Sequence, residues 1–142
     1  MATAAQLLGR KPRAIYSVGP DAPVLEAVRL MAEYSVGALL VMKGEKLVGV
    51  ISERDYARKV ILMGRSSSDT PVHQIMTRDV FTVEPELSVE QCMEIMTNRR
   101  FRHLPVLEAG RVIGMLSIGD LVRAVLEEQK QTIQQLESYI HS

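Results

Sequence analysis

The chain is predicted to fold as an α/β (α+β) protein made of two β-α-β-β-α repeats, and three observations carry that expectation. A shift of 65 positions lays Pro20–Val60 on Pro85–Val125 without a gap. Ten pairs are then identical: Pro20/Pro85, Val24/Val89, Met31/Met96, Leu39/Leu104, Val41/Val106, Gly49/Gly114, Ser52/Ser117, Asp55/Asp120, Arg58/Arg123 and Val60/Val125. The string Gly-apolar-apolar-Ser-x-x-Asp recurs at Gly49–Asp55 and Gly114–Asp120, with polar residues where a core needs none. Two copies of one incomplete unit complete each other's core, and the cleft between them comes in duplicate.

Each element follows from local pattern. Ala14–Val18 reads as a short strand stopped by Gly19-Pro20. Pro23 opens a helix, where its missing N–H does no harm. Val24, Ala27, Val28, Met31 and Ala32 give that helix one apolar face. Ala38–Met42 and Leu47–Ile51 form a hairpin across the polar turn Lys43-Gly44-Glu45-Lys46, and a second helix runs from Ser52 to about Met63. In the second copy Val80–Val83 is the strand. Ser88–Asn98 is the helix, with a Ser88-x-x-Gln91 capping box. Leu104–Leu107 and Val112–Leu116 make the hairpin, and the last helix starts at Ile118. Apolar residues come in runs along the strands, so both sheet faces are expected to be covered. The organisation is then an N-terminal arm (1–10), a first repeat (11–66), a second repeat (67–127) and a C-terminal helical extension (128–142). Gly64–Thr70 is a linker of polar, flexible composition. The extension carries Leu126, Ile133, Leu136 and Ile140 on one stripe and overshoots the repeat, so it is expected to pack against a second copy of the chain, with folding back as the alternative.

Composition excludes several classes. At 142 residues, 46% of them apolar, the chain suits a folded unit that buries roughly two-thirds of its unfolded surface. Seventeen basic and seventeen acidic side chains cancel, which argues against a nucleic-acid or acidic-membrane binder. No apolar run approaches the roughly 20 residues of a membrane span. Met1–Lys11 has its basic residues after its apolar stretch, the wrong order for a secretory signal. The lone Cys92 allows no internal disulfide and is expected to be a buried thiol. A cytoplasmic location is the expectation.

The Ser/Asp string runs from the end of a strand into the start of a helix. Ser52 and Ser117 can cap, with Asp55 and Asp120 at the third helical position beside the positive end of the dipole. The same geometry offers N–H groups to a phosphate and a carboxylate to the paired hydroxyls of a ribose. The residues alone leave both readings open. Asn98-Arg99-Arg100-Phe101-Arg102-His103 favours the second. Arg99 can simply serve the helix C-terminus, but three arginines and a histidine exceed that role. A guanidinium fork matches phosphate oxygens, and Phe101 can offer a face to a base. The matching stretch Tyr34–Ala38 is uncharged, so the second pocket, that of Asp120, is expected to be the better phosphate binder.

A tandem pair of such repeats, with Val36-Gly37-Ala38-Leu39 and His103-Leu104-Pro105-Val106 before the hairpins and Gly-h-h-Ser-x-x-Asp after them, resembles the cystathionine-β-synthase (CBS) domain pair, or Bateman module, over about residues 11–127. The resemblance implies two repeats related by a pseudo-twofold axis, with two clefts that bind adenine nucleotides. One cleft would use Asp120 for the ribose and Ser117 near the phosphate. Arg102 and His103 would hold the phosphates, and Ala14, Ile15, Val36, Gly37 and Met115 would line the base. Its sister would use Asp55 and Ser52, with Gly37, Ala38, Val50, Asp79, Val80, Phe101 and Arg102. No GxxxxGK[ST], GxGxxG, HExxH or CxxC motif is present, and His73, His103 and His141 have no metal-ligand spacing. The expectation is a non-enzymatic, stand-alone sensor without a catalytic cofactor. It would bind an adenosyl ligand (AMP, ADP, ATP, NAD(H) or S-adenosylmethionine), form a homodimer and signal to an unidentified partner protein. An adaptor module without ligand is the alternative.

Overall fold

Secondary structure in the computed structural model, which describes residues 2–11 and 15–141, follows the repeat. Helix α1 (Ala4–Gly9) precedes β1 (Ser17–Val18), α2 (Val24–Tyr34), the strands β2 (Ala38–Lys43) and β3 (Lys46–Ser52), and α3 (Glu53–Tyr56). The end of α3 opens into a π-helical turn over Ala57–Ile61. A 3-10 turn, Val72–Gln74, leads to α4 (Val89–Arg99), β4 (His103–Glu108), β5 (Arg111–Ser117) and α5 (Ile118–His141).

The helices form where the apolar spacing demands them. Val24, Ala27 and Met31 form the buried face of α2, and Val89, Cys92 and Met96 that of α4. Ser88 and Gln91 make the expected reciprocal cap. Both helices end on a left-handed residue, Ser35 (φ 53°) and Arg100 (φ 59°), a conformation that turns the chain sharply without glycine. The two hairpins are superimposable in register: β2 pairs antiparallel with β3 and β4 with β5, each bulged, at Val41/Met42 and at Val106/Leu107. Ala38–Val41 are four buried residues in a row, as a strand covered on both faces requires.

Several elements differ from expectation. The ladder of β1 covers only Ser17–Val18, parallel to Leu40–Val41, and Ala14 lies outside the described residues. Val80–Val83 is not a strand. Val83 alone bridges Val106, and the stretch before it lines a cleft instead. The second helix of the first repeat is α-helical for one turn only before its π-helical continuation. The Gly64–Thr70 linker is tied down despite its composition. The carbonyls of Thr70 and Ser67 accept the first two N–H groups of α2 at 2.8 and 3.0 Å, and Thr70 is buried. They serve the orphan donors that Pro23, which makes no side-chain cap, leaves open.

The most consequential feature is an exchange of leading segments. Residues before β1 pack on the second repeat: the N–H groups of Ala4 and Ala5 donate to Leu87 and Pro85, and that of Val89 to Ala2. Residues after the linker repeat the pattern on the first repeat, with Val72 and His73 donating to Ala22 and Pro20 and Val24 donating to Thr70. Accordingly Ala4 and Leu7 belong to the apolar core of the second repeat, and Val72, Ile75 and Met76 to that of the first. The arm is therefore a working part of the second repeat. Val50 and Thr77 exchange two backbone bonds, at 3.0 and 2.9 Å, and stitch the halves together.

Helix α5 runs unbroken for 24 residues and does not fold back. Leu126, Ile133, Leu136 and Ile140 are more than half exposed. No helix among the described residues is long and apolar enough to cross a membrane.

The crossing predicts unequal tolerance of two equivalent glycines. A Cβ on Gly49 would lie 2.7 Å from Met76 Sδ and 2.9 Å from the Thr77 carbonyl oxygen, whereas one on Gly114 would meet only the end of Leu8. Gly49→Ala is expected to cost about 1–3 kcal/mol and Gly114→Ala less, since a leucine tip can swing aside. Urea unfolding midpoints check this, and equal losses would contradict the crossed packing.

Candidate functional site: two clefts between the repeats

Ser52 and Ser117 stand where a strand hands over to a helix. In each, the Ser hydroxyl oxygen accepts the N–H of the Asp three residues on, and that carboxylate accepts the Ser N–H, at 3.0 Å for Asp55 and 2.8 Å for Asp120. The next N–H is also used: Glu53 donates to the Gly37 carbonyl and Ile118 to that of Arg102. The capping role is thus real in both copies. With those N–H groups taken, fewer backbone donors remain at either helix start.

Two clefts open beside these boxes. The cleft of Asp55, about 530 Å³, is lined by Gly37, Val50, Ser52, Asp79, Val80, Phe101 and Arg102 of the predicted set, together with His103. That of Asp120, about 400 Å³, is lined by Ile15, Val36, Gly37, His103, Met115 and Ser117. Both volumes suit a nucleotide-sized ligand. Each cleft joins the Ser/Asp box of one repeat to the helix-to-strand loop of the other, because the repeats face each other head to tail.

That crossing corrects three expectations. Arg102 lines the Asp55 cleft and not the Asp120 cleft, since the loop after α4 reaches across to the first repeat. Ala38 lines the Asp120 cleft instead of its sister, alternating along β2 with Val36 and Leu40 on one face. Most importantly, the more cationic pocket is the first. Arg54, Arg58, Lys59, Arg100 and Arg102 border the Asp55 cleft, against Glu53, Asp55 and Asp79. The Asp120 cleft has Lys11 and Arg123, and both already contact Asp120, at 2.8 Å each. Ala14 lies outside the described residues.

Sequence reasoning missed Lys11, Arg54, Arg58, Lys59, Thr77 and Arg123, and the walls formed by Tyr16, Tyr34 and Phe81. Arg58 and Arg123 were legible as an identical pair of the repeat. Tyr16 and Tyr34 stack with centroids 4.1 Å apart, and at the equivalent positions Arg99 sits 4.5 Å over the Phe81 ring. Arg99 thus packs on a ring face, a cation–π contact, rather than serving only the helix end.

The electrostatics are set by burial and pairing. Burial pushes the Asp120 carboxyl up, but hydrogen bonds from Lys11 and the Ser117 N–H outweigh it and hold the group below the usual carboxylate range. His103 faces both clefts, its Nε2 3.9 Å from where a Cβ on Gly37 would lie. Burial, with Lys11 and Arg102 nearby, pulls its pKa down against the opposing pull of Asp120 and Asp55. Among the described residues no group of His, Cys, Asp or Glu is placed to hold a metal ion.

These features define a tandem-repeat protein with paired inter-repeat clefts. The CBS domain family matches residues 12–61 and 72–127, and the chain belongs to it. It is 49% identical over 125 residues to the mitochondrial CBS domain-containing protein CBSX3 of Arabidopsis thaliana, covering 84% of this chain but only 61% of that protein's length. A solved CBS-domain structure from Burkholderia ambifaria MC40-6 is 51% identical, with a TM-score of 0.87 over 90% of this chain and 96% of that one. A CBS domain protein from Pyrobaculum aerophilum, solved complexed with AMP, is 27% identical with a TM-score of 0.78, over 91% and 98%.

Acid should loosen the site in two steps. A depressed folded pKa means the unfolded chain takes the proton first, so stability is complete above the unfolded value and is lost as pH falls. Neutral His103 should therefore lose its contribution as pH drops below 6.5, and ionised Asp120 only as pH drops below 3.8. Thermal melts across pH are expected to flatten in the upper window for His103→Gln and in the lower one for Asp120→Asn. An unchanged profile in either variant would contradict these assignments.

Proposed function

We propose that the chain is a non-catalytic regulatory module that binds adenosyl ligands in the two clefts and signals to a partner protein through a change in repeat or dimer geometry. The observation that carries this reading is the doubled arrangement of a carboxylate from one repeat facing a loop from the other. A ligand held by both bridges the repeats and favours one relative angle. Signalling then requires unequal affinity for the two arrangements. The AMP bound to the Pyrobaculum relative supports an adenine nucleotide. The five cations around Asp55 favour a di- or triphosphate there, since several guanidinium forks can share the charge. The smaller Asp120 cleft, with stacked tyrosines and its cations already paired, favours a ligand of lower charge such as AMP or the adenosine part of NAD(H) or S-adenosylmethionine. The buried free thiol of Cys92 fits a reducing compartment such as the cytoplasm.

The apolar stripe of α5 supports a homodimer: Leu126, Ile133, Leu136 and Ile140 are exposed at heptad-like spacing with no surface of their own chain to cover. Ile133→Glu with Leu136→Glu is expected to shift the mass measured by light scattering from a dimer to the 15.8 kDa monomer. A wild type that is already monomeric would remove this part.

One observation favours the adaptor alternative. Both oxygens of each aspartate are already engaged within the chain, Asp55 by Ser52, Lys59 and Thr77, and Asp120 by Ser117, Lys11 and Arg123. A thermal-shift panel of AMP, ADP, ATP, NAD, NADH and S-adenosylmethionine separates the two readings. A ligand at 100 times its Kd adds about 2.7 kcal/mol, several degrees for a chain of this size. Arg102→Ala is expected to reduce the ATP response far more than the AMP response. A panel without any shift would leave the adaptor.

Phosphate beside His103 also favours its protonated form. Nucleotide binding near pH 6 is therefore expected to take up a proton, seen as a dependence of calorimetric heat on buffer ionisation enthalpy that His103→Gln removes. Buffer-independent heats in the wild type would place the phosphate away from His103.

A further inference from the structure

We propose that Lys11 is a built-in competitor for the Asp120 cleft, so that a ligand entering there must dislodge the end of the N-terminal arm. The inference rests on the reading of Asp120 as the ribose-binding carboxylate. Lys11 Nζ lies 2.8 Å from Asp120 Oδ2 and donates to the Met115 carbonyl at 2.9 Å. It therefore occupies the floor of the cleft with a charged donor, in the place where a pair of ribose hydroxyls would donate. Asp120 has little acceptor capacity left: Oδ2 also takes the Ser117 N–H, and Oδ1 takes Arg123.

The sister cleft shows why Lys11 differs from an ordinary ion pair. There the carbonyl of Val50, the counterpart of Met115, is held by the backbone N–H of Thr77, and the cation on Asp55 is Lys59, one turn along the same helical segment. Lys59 is also anchored on the Ile75 carbonyl, in the segment that crosses from the second half, but that segment is held besides by the Val50–Thr77 backbone pair. Lys11 reaches Asp120 from the opposite end of the chain. The helix behind it has only six residues, far too short to hold itself, and it depends on its docking to the second repeat. Its hold there is Ala4 and Leu7 in the core, Ala2 and Leu8 packed against it, and three backbone bonds at its start.

Competition of this kind is reciprocal. If the cleft is open only while Lys11 is out, apparent affinity falls by that open fraction, and a bound ligand weakens the docking of the arm by the same factor. Occupancy of the Asp120 cleft is thereby converted into freedom of residues 2–11, whereas the segment behind the Asp55 cleft stays pinned by Val50 and Thr77. The two clefts then report differently.

The test titrates AMP into protein whose other cleft is disabled by Asp55→Asn and Arg102→Ala. Adding Lys11→Met is expected to tighten binding about tenfold, or about 1.4 kcal/mol, while Lys11→Arg, which keeps the cation, stays near the starting affinity. In the wild type, saturating AMP is expected to speed amide exchange in Ala4–Gly9, and Lys11→Met to show fast exchange before any ligand is added. Equal or weaker binding by Lys11→Met, or exchange in Ala4–Gly9 indifferent to AMP, overturns the proposal while leaving the clefts as nucleotide sites. If AMP binds to neither the wild type nor any variant, the ribose reading of Asp120 falls and takes this inference with it.

Discussion

Each half of this protein is finished by the segment that leads into the other half, and that exchange is what the remaining architecture depends on. Backbone bonds from Ala4 and Ala5 to the second repeat, and from Val72 and His73 to the first, place apolar side chains of one half inside the core of its sister. With Val50 and Thr77 paired between the halves, the Ser/Asp box of either repeat is obliged to look at the loop of the other. The clefts are products of that docking and have no existence in a single repeat.

Electrostatic asymmetry is then superimposed on near-symmetric backbone. Gly37 and Arg102 occupy equivalent positions, as do Ser35 and Arg100, and the second pair shares its left-handed turn. The uncharged member of each pair faces Asp120 and the guanidinium faces Asp55. One scaffold therefore carries two chemistries, and His103, at the shared wall, feels both carboxylates at once.

Much of this was legible in the sequence. The repeat offset, the hairpins and the helix faces follow from periodicity, and the Ser88–Gln91 and Ser/Asp caps follow from residue type at the right spacing. Ala38 was assigned to the wrong cleft, and Arg102 to both clefts where it lines one, because a linear reading keeps a loop with its own repeat, whereas the fold sends it across. Lys11 was invisible as a site residue because its partner lies far along the chain and no local pattern links them. Val80–Val83 has strand-forming residues, but only Val83 reaches the edge of β4, so tertiary context overrode propensity. The polar linker was read as flexible on composition, yet the open helix start behind Pro23 recruits its carbonyls.

The exchanged segments also bear on how the chain can be divided. A cut within the Ser66–Ser68 stretch would leave an N-terminal piece whose core lacks Val72 and Ile75, and a C-terminal piece lacking Ala4 and Leu7. Neither piece can close its own interior, yet each holds what its sibling is missing. Such halves are natural candidates for split-protein complementation, with folding itself as the reporter of their reunion.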